Sequence, residues 1–263
     1  MERAEDGLTV IDGKPWRRLP FAAEDDAARR IAIGALVLAS DIATEDELRA
    51  FLPAAGASVY ASRIPRDRAS TLTNLRQMEP RIADAAARLV PDDDLHVIAF
   101  ACTSGAAAIG AERVADIVRG VRPGVPVTDP LSAGARALRA FGMKRIALMT
   151  PYRAEVNGMI AAQIEKMGFE IVASASFFCE DGYQMSRISA RSIAEGALAV
   201  ASGAEVEALF ISCTALRLSA DLAKVEARLA KPVVFSTQAM AWDAMRLTGT
   251  RTVASGRGRL FDL

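Results

Sequence analysis

Histidine is all but missing from this chain: His96 is the only one. A serine or cysteine nucleophile activated by an imidazole base would have to use His96 itself. That residue stands just before an apolar run, where a strand begins, so it reads as structural. A histidine-based zinc site is excluded by the same count. Cysteine is scarce too. The three cysteines are an odd number without Cys-x-x-Cys spacing, so neither a disulfide framework nor a thiolate metal cluster is expected, and the cytoplasm is the natural compartment. Charge of one sign is not in excess, with 32 basic and 32 acidic residues. That argues against nucleic acid or an anionic membrane as the main partner. No apolar run approaches the roughly 20 residues a membrane span requires. The first 29 or so residues are charged and lack the apolar core of a signal peptide. They read as a flexible arm, or as a lid over a neighbouring subunit. Neither a Gly-x-Gly-x-x-Gly loop nor a P-loop occurs, so no nucleotide is expected. The reading is of an enzyme needing no metal and no cofactor.

What is present is apolar residues, 51% of the chain, in short runs that alternate with amphipathic segments. Strands are expected at 31–39, 58–64, 96–103, 144–150, 170–178, 208–214 and 233–236. Helices are expected at 44–51, 72–89, 109–118, 133–141, 155–167, 189–202, 220–229 and 238–247. Strand and helix in alternation, with strands filled by Val, Ile, Leu and Ala, predict an α/β fold with mainly parallel sheets covered on both faces.

Two segments repeat one phrase. Ile98-Ala99-Phe100-Ala101-Cys102-Thr103 and Leu209-Phe210-Ile211-Ser212-Cys213-Thr214 are each an apolar strand ending in Cys-Thr. The cysteines lie 111 residues apart. Two similar doubly wound lobes, each offering one Cys-Thr from a strand's end, explain the repeat most simply. The first lobe would take residues 1–129 plus 237–263, with the arm at about 1–29, and the second 130–236. Open α/β sheets bind ligands beyond the carboxyl ends of their strands. A turn leading into a helix there aims N–H groups and a positive dipole end at the ligand. The same field is expected to lower a cysteine's pKa. Cys102 and Cys213 are therefore the candidate catalytic pair, with hydroxyl donors on Thr103, Ser104 and Thr214. Asp41 follows the first core strand and could accept a proton or orient a thiol. Tyr152, just past another strand, could hold a carboxylate. Cys179 has no matching phrase and reads as a structural residue ending a strand.

The wording Cys102-Thr103-Ser104-Gly105, Thr150-Pro151-Tyr152 and Ser212-Cys213-Thr214-Ala215-Leu216-Arg217 resembles the aspartate/glutamate racemase superfamily. The likeness runs from about Arg30 to Gly249 and is nearest to maleate cis-trans isomerases and the related ectoine-utilisation A proteins. Arylmalonate decarboxylases form a further branch. The ectoine-utilisation likeness rests on Phe210 through Arg217 and on Gln238-Ala239-Met240-Ala241-Trp242, and it points to ectoine catabolism as a pathway context. The resemblance implies two lobes related by a pseudo-twofold axis, with a ligand in the cleft between Cys102 and Cys213. Tyr152, Thr103, Ser104 and the backbone at Thr214 would hold carboxylate oxygens, and Asp41 would stand where maleate isomerases carry asparagine. A second family asparagine aligns with Asp181-Gly182, which supplies no amide. Decarboxylases of the family keep only the second cysteine.

These readings predict a cofactor-independent isomerase of a small carboxylate or dicarboxylate. The alternatives are an amino-acid or hydantoin-type racemase, an arylmalonate-type decarboxylase, and a non-catalytic carboxylate-binding protein on the same scaffold. The expected partner is the small substrate, in a homodimer or homotetramer.

Overall fold

A computed structural model of the protein describes residues 8–22, 30–53, 56–91, 93–250 and 256–263. Near the N-terminus, β1 (Leu8–Ile11) and β2 (Lys14–Arg17) pair antiparallel. The turn between them is Asp12-Gly13, both with positive φ (50° and 73°). Two left-handed residues match the strand twist of a two-residue hairpin, which is why Asp-Gly is favoured there. Part of the expected flexible arm is thus an ordered ribbon, with Trp16 exposed on it. The rest of that arm, residues 1–7 and 23–29, lies outside the described residues.

The first core sheet contains β3 (Ile31–Leu38), β4 (Ala57–Ile64), β5 (Val97–Phe100) and β6 (Val127–Thr128), in the order β4-β3-β5-β6. The second contains β7 (Arg145–Thr150), β8 (Glu170–Ser176), β9 (Ala208–Ile211) and β10 (Val233–Phe235), in the order β10-β9-β7-β8. All pairings within these two sheets are parallel. Numbered within its own lobe, each sheet runs second-first-third-fourth. The two halves therefore share one topology, the two-lobed α/β class expected from the repeated phrase. In this strand order the ligand crevice opens where the order reverses, between the first and third strands. Those are β3 and β5 in one lobe, β7 and β9 in the other.

The helices are α1 (Thr44–Phe51), α2 (Leu72–Arg76), α3 (Glu79–Ala87), α4 (Thr103–Ile109), α5 (Ala111–Val121), α6 (Pro130–Ala140), α7 (Ala154–Lys166), α8 (Gly182–Met185), α9 (Ala190–Ala201), α10 (Leu222–Leu229) and α11 (Ser236–Leu247). Several depart from expectation. The helix read over 72–89 is two, because Pro80 at the start of α3 has no N–H to continue the α2 ladder. The helix read over 109–118 is α5, which begins at Ala111, and α4 before it was not anticipated. Gly110 joins them at φ 101°, which a side chain rarely tolerates. The strand read over 96–103 stops at Phe100, so Cys102 and Thr103 belong to the turn and to α4. The strand read over 208–214 stops at Ile211, and Cys179 lies three residues beyond the end of β8 rather than ending a strand. The two-residue β6, the helix α8 and a 3-10 turn at Arg259–Asp262 were not anticipated.

Residues 236–245 of α11 are buried on every side. This helix packs against α1, α6, β5, β6 and β10, elements of both halves. Its one buried carboxylate, Asp243, accepts two bonds from Arg136 at 2.6 and 2.7 Å and one from Thr128 Oγ1. A buried charge is tolerated in such a core only when paired in this way. No helix among the described residues is long and apolar enough to cross a membrane.

Candidate active site

Loops past the carboxyl ends of β3, β4, β5, β7, β8 and β9 converge on one pocket between the sheets. Leu38, Asp41, Arg66, Cys102, Ser104, Tyr152, Gly182, Cys213 and Thr214 are among its lining residues, as are Ser40, Ser70, Thr103, Met185 and Ala215. Every candidate residue read from the sequence thus faces the same space. The cysteines occupy equivalent positions, each after the third strand of its lobe. Asp41 and Tyr152 also match, each following a first strand. The free space inside is about 30 Å³. A larger groove of about 390 Å³ between α7 and β8 carries no cysteine and no titratable side chain among its lining residues.

Cys102 caps α4. Its Sγ accepts the Gly105 N–H at 3.2 Å and lies 3.7 Å from Ser104 Oγ. A side chain on Gly105 would begin 2.8 Å from the Met78 methyl and 3.0 Å from Sγ, so glycine gives this amide room beside the sulfur. Cys213 has no helix directly behind it, since α10 begins at Leu222. Its backbone N–H donates to Ser236 Oγ at 3.1 Å. The expectation of lowered thiol pKa values is overturned. Both sulfurs are almost completely buried, 4% and 5% exposed, and loss of solvation penalises the thiolate more than local dipoles favour it. Burial pushes Cys102 up, against the opposing pull of the Arg66 charge, the Gly105 amide and the Ser104 hydroxyl. Burial pushes Cys213 to about 12, opposed by the Ala215 amide and the Tyr152 hydroxyl. Burial also holds the Tyr152 phenol well above its usual range, so it stays a neutral donor.

Several hydroxyls expected to meet ligand are committed elsewhere. Thr103 Oγ1 donates to Ser236 Oγ at 3.1 Å, and Thr214 Oγ1 donates to the Ala101 carbonyl at 3.0 Å. Each of these threonines ties its own Cys-Thr turn to the other half of the molecule. Thr44 Oγ1 lies 3.1 Å from the Thr214 carbonyl. Asp41 is occupied too. Oδ1 accepts the Ala43 and Thr44 amides at 2.8 Å each, and Oδ2 accepts the Thr44 hydroxyl at 2.6 Å. Its carboxylate fixes the opening of α1. What remains for an anion is Ser104 Oγ and the Thr103 and Ser104 amides, which as first-turn residues of α4 have no intrahelical acceptor, together with the Tyr152 hydroxyl, which is shared with the Cys213 sulfur. Beneath them the buried Ser212 Oγ has no hydrogen-bond partner meeting ordinary geometry.

His96 is far from this chemistry in the fold, at the opposite end of β5, where its Nδ1 accepts the Ala32 amide at 3.1 Å. Reading the sequence missed Ser40, Arg66, Ser70, Met185 and Ser236. The rule that ligands bind past strand ends would have reached Arg66, two residues after β4, and Ser236, directly after β10.

The arylmalonate decarboxylase family model matches residues 70–261. Arylmalonate decarboxylase of Bordetella bronchiseptica is 33% identical over 141 residues, an alignment spanning 53% of this chain and 59% of that protein's length. Maleate isomerase of Pseudomonas putida is 24% identical over 87% of this chain and 96% of its own. A crystal structure of the maleate isomerase of P. putida S16 superposes with a TM-score of 0.80 at 21% identity, covering 88% of this chain and 98% of that one. A Nocardia farcinica maleate cis-trans isomerase, a cysteine-to-serine mutant with a covalently bound succinylcysteine intermediate, also gives 0.80 at 22% identity over 88% and 97%.

Proposed function

Since the chain belongs to the arylmalonate decarboxylase family, within the Asp/Glu racemase-like superfamily and among enzymes, we propose that it is a cofactor-independent isomerase of a small unsaturated dicarboxylate, working as maleate isomerases do. The observation that carries the reading is the pair of buried thiols, equivalent by topology, lining one small pocket. A decarboxylase needs a proton donor on one face of the substrate only; two sulfurs serve a reaction that needs both.

The two thiols divide the work by environment, as paired titratable groups of unequal surroundings do. Cys102, with the Gly105 amide on its sulfur and the Arg66 charge nearby, is the nucleophile once deprotonated. Cys213, pushed to about 12, holds its proton and is the acid. The Cys102 thiolate adds to one alkene carbon, and the π electrons move onto the neighbouring carboxylate as an enediolate. Cys213 then gives its proton to the second carbon, leaving a thioether joined to a freely rotating single bond. After rotation Cys213 takes a proton back, the C–S bond breaks, and the trans isomer leaves with the Cys102 thiolate restored. Charge on the enediolate is met by Tyr152, Ser104 and the α4 amides. The succinylcysteine of the Nocardia enzyme is an intermediate of this kind. A context in ectoine catabolism, a cytoplasmic site and a homo-oligomeric state belong to the same proposal.

Decarboxylation is the second reading, favoured by the Bordetella relative at 33% identity. Proton NMR separates the two. Conversion of maleate or a related cis-dicarboxylate to its trans isomer supports the isomerase. Loss of carbon dioxide from a malonate, with no isomerisation, supports the decarboxylase and rejects our first reading.

A further inference from the structure

Arg66 is a half-buried cation in the same pocket as the two thiols. Its guanidinium is fixed from behind. Nε donates to the Asp67 carbonyl at 2.8 Å, and Nη2 donates to the Arg68 carbonyl at 3.0 Å and to Ser70 Oγ at 2.8 Å. None of these three acceptors is charged, and among the described residues Arg66 forms no salt bridge. Its flanking arginines do: Arg63 pairs with Glu45 and Arg68 with Asp181. Asp41, the carboxylate lining the same pocket, gives both oxygens to the start of α1. Nη1 faces Gly182. A side chain there would begin 3.9 Å from Nη1 and 3.7 Å from Ser40 Oγ, and its absence leaves a recess walled by a cation and a hydroxyl. A planar fork held from behind, with no salt-bridge partner among the described residues, is suited to a carboxylate.

We infer that Arg66 is the specificity residue of this pocket. It binds a second anionic group of the substrate, in the recess beside Gly182 and Ser40, and so selects dianions over monocarboxylates of the same shape. The inference rests on the two-thiol reading for the position of the first carboxylate, at Ser104 and Tyr152. It also sets the substrate's direction, because the second carboxylate must turn toward Arg66 and away from Asp41.

The test is equilibrium binding of two saturated probes, succinate and its half-amide succinamate, to the full-length protein by calorimetry. Neither needs turnover. The wild type should bind succinate at least about tenfold more tightly than succinamate. Arg66→Gln should weaken succinate by about ten- to a hundredfold, the range of a lost charge-assisted pair, while succinamate changes by less than about threefold. Arg66→Lys keeps the charge without the fork. It should retain the preference at lower affinity, and it carries the test if the glutamine variant does not fold. Equal binding of the two probes by the wild type, binding of neither, or unchanged succinate affinity in either variant would overturn the inference. The underlying reading fails separately: an Arg66-dependent preference with no isomerisation of any cis-dicarboxylate would remove the isomerase and leave the anion site.

Discussion

Cys102 and Cys213 differ in what touches their sulfurs, and that difference has kinetic consequences. The thiolate of Cys102 is needed at the start, and its pKa is raised by burial. The ascending limb of kcat/KM against pH should therefore lie above the ordinary thiol value of about 8.5. Cys213, at about 12, should add no descending limb below that value. The sign for stability follows from the same shift. The folded state holds protons that the unfolded chain has begun to release, so stability is complete below about pH 8.5 and declines as pH rises toward 12. Cys213→Ala should flatten part of that decline in melting temperature. Cys102→Ser should cost at least about a thousandfold in kcat, as loss of a nucleophile does. Tyr152→Phe removes one donor to a carboxylate and should cost roughly 1.5–3 kcal/mol, about ten- to a hundredfold in kcat/KM. Its pH limbs should stay where they are, because a phenol held well above its usual range does not titrate there. A limb lost in that variant would make Tyr152 an acid or base.

At the scale of the element, the turn from β5 into α4 concentrates the design. Gly105 brings its amide to the sulfur, and any side chain there meets Met78 and Sγ at about van der Waals overlap. Gly105→Ala should cost roughly 1–3 kcal/mol of stability, as overpacking does, and should slow alkylation of Cys102 as its amide is displaced. Denaturant melts and iodoacetamide kinetics read the two effects. This turn was legible in the sequence because an apolar run ending in Cys-Thr-Ser-Gly announces both a strand's end and an uncrowded backbone. The short helix α4 was not, since its Thr103–Ile109 span follows directly on an apolar strand and reads in part as that strand's end. The Asp12-Gly13 hairpin carried a recognisable turn signal inside a segment read only by its charge. Arg66 escaped notice for the opposite reason. Among Arg63, Asp67 and Arg68 it looks like one more solvated charge, and only the fold separates it from its paired neighbours.

For the whole molecule, the lobes are held together by polar ties around the pocket. Glu47 of α1 accepts the Leu218 and Ser219 amides at 2.9 and 2.8 Å and the Ser219 hydroxyl at 2.8 Å. Arg217 donates to the Ile42 and Ser186 carbonyls. Over the mouth, the Ser70 amide meets the Glu180 carbonyl, and Arg68 pairs with Asp181. Glu47→Ala would leave two amides without acceptors, and should cost roughly 1–3 kcal/mol in denaturant unfolding. The two-lobed class was readable from one repeated phrase and the strand alternation. The thiol pKa values were not, because they depend on how completely the lobes exclude water. The commitment of Thr103, Thr214 and Asp41 to ties within and between the lobes was hidden for the same reason: a residue's type gives its donors and acceptors, and only the assembled fold assigns them.

Intact-mass spectrometry of single variants with the isomerising substrate tests most directly whether Cys102 is the nucleophile and Cys213 the acid. In Cys213→Ser the acid is weakened and the thioether should persist, adding the mass of one substrate at Cys102 after proteolysis. Cys102→Ser should carry no adduct and give no trans product. An adduct on Cys213 instead, or isomerisation by Cys102→Ser near the wild-type rate, would contradict the assignment.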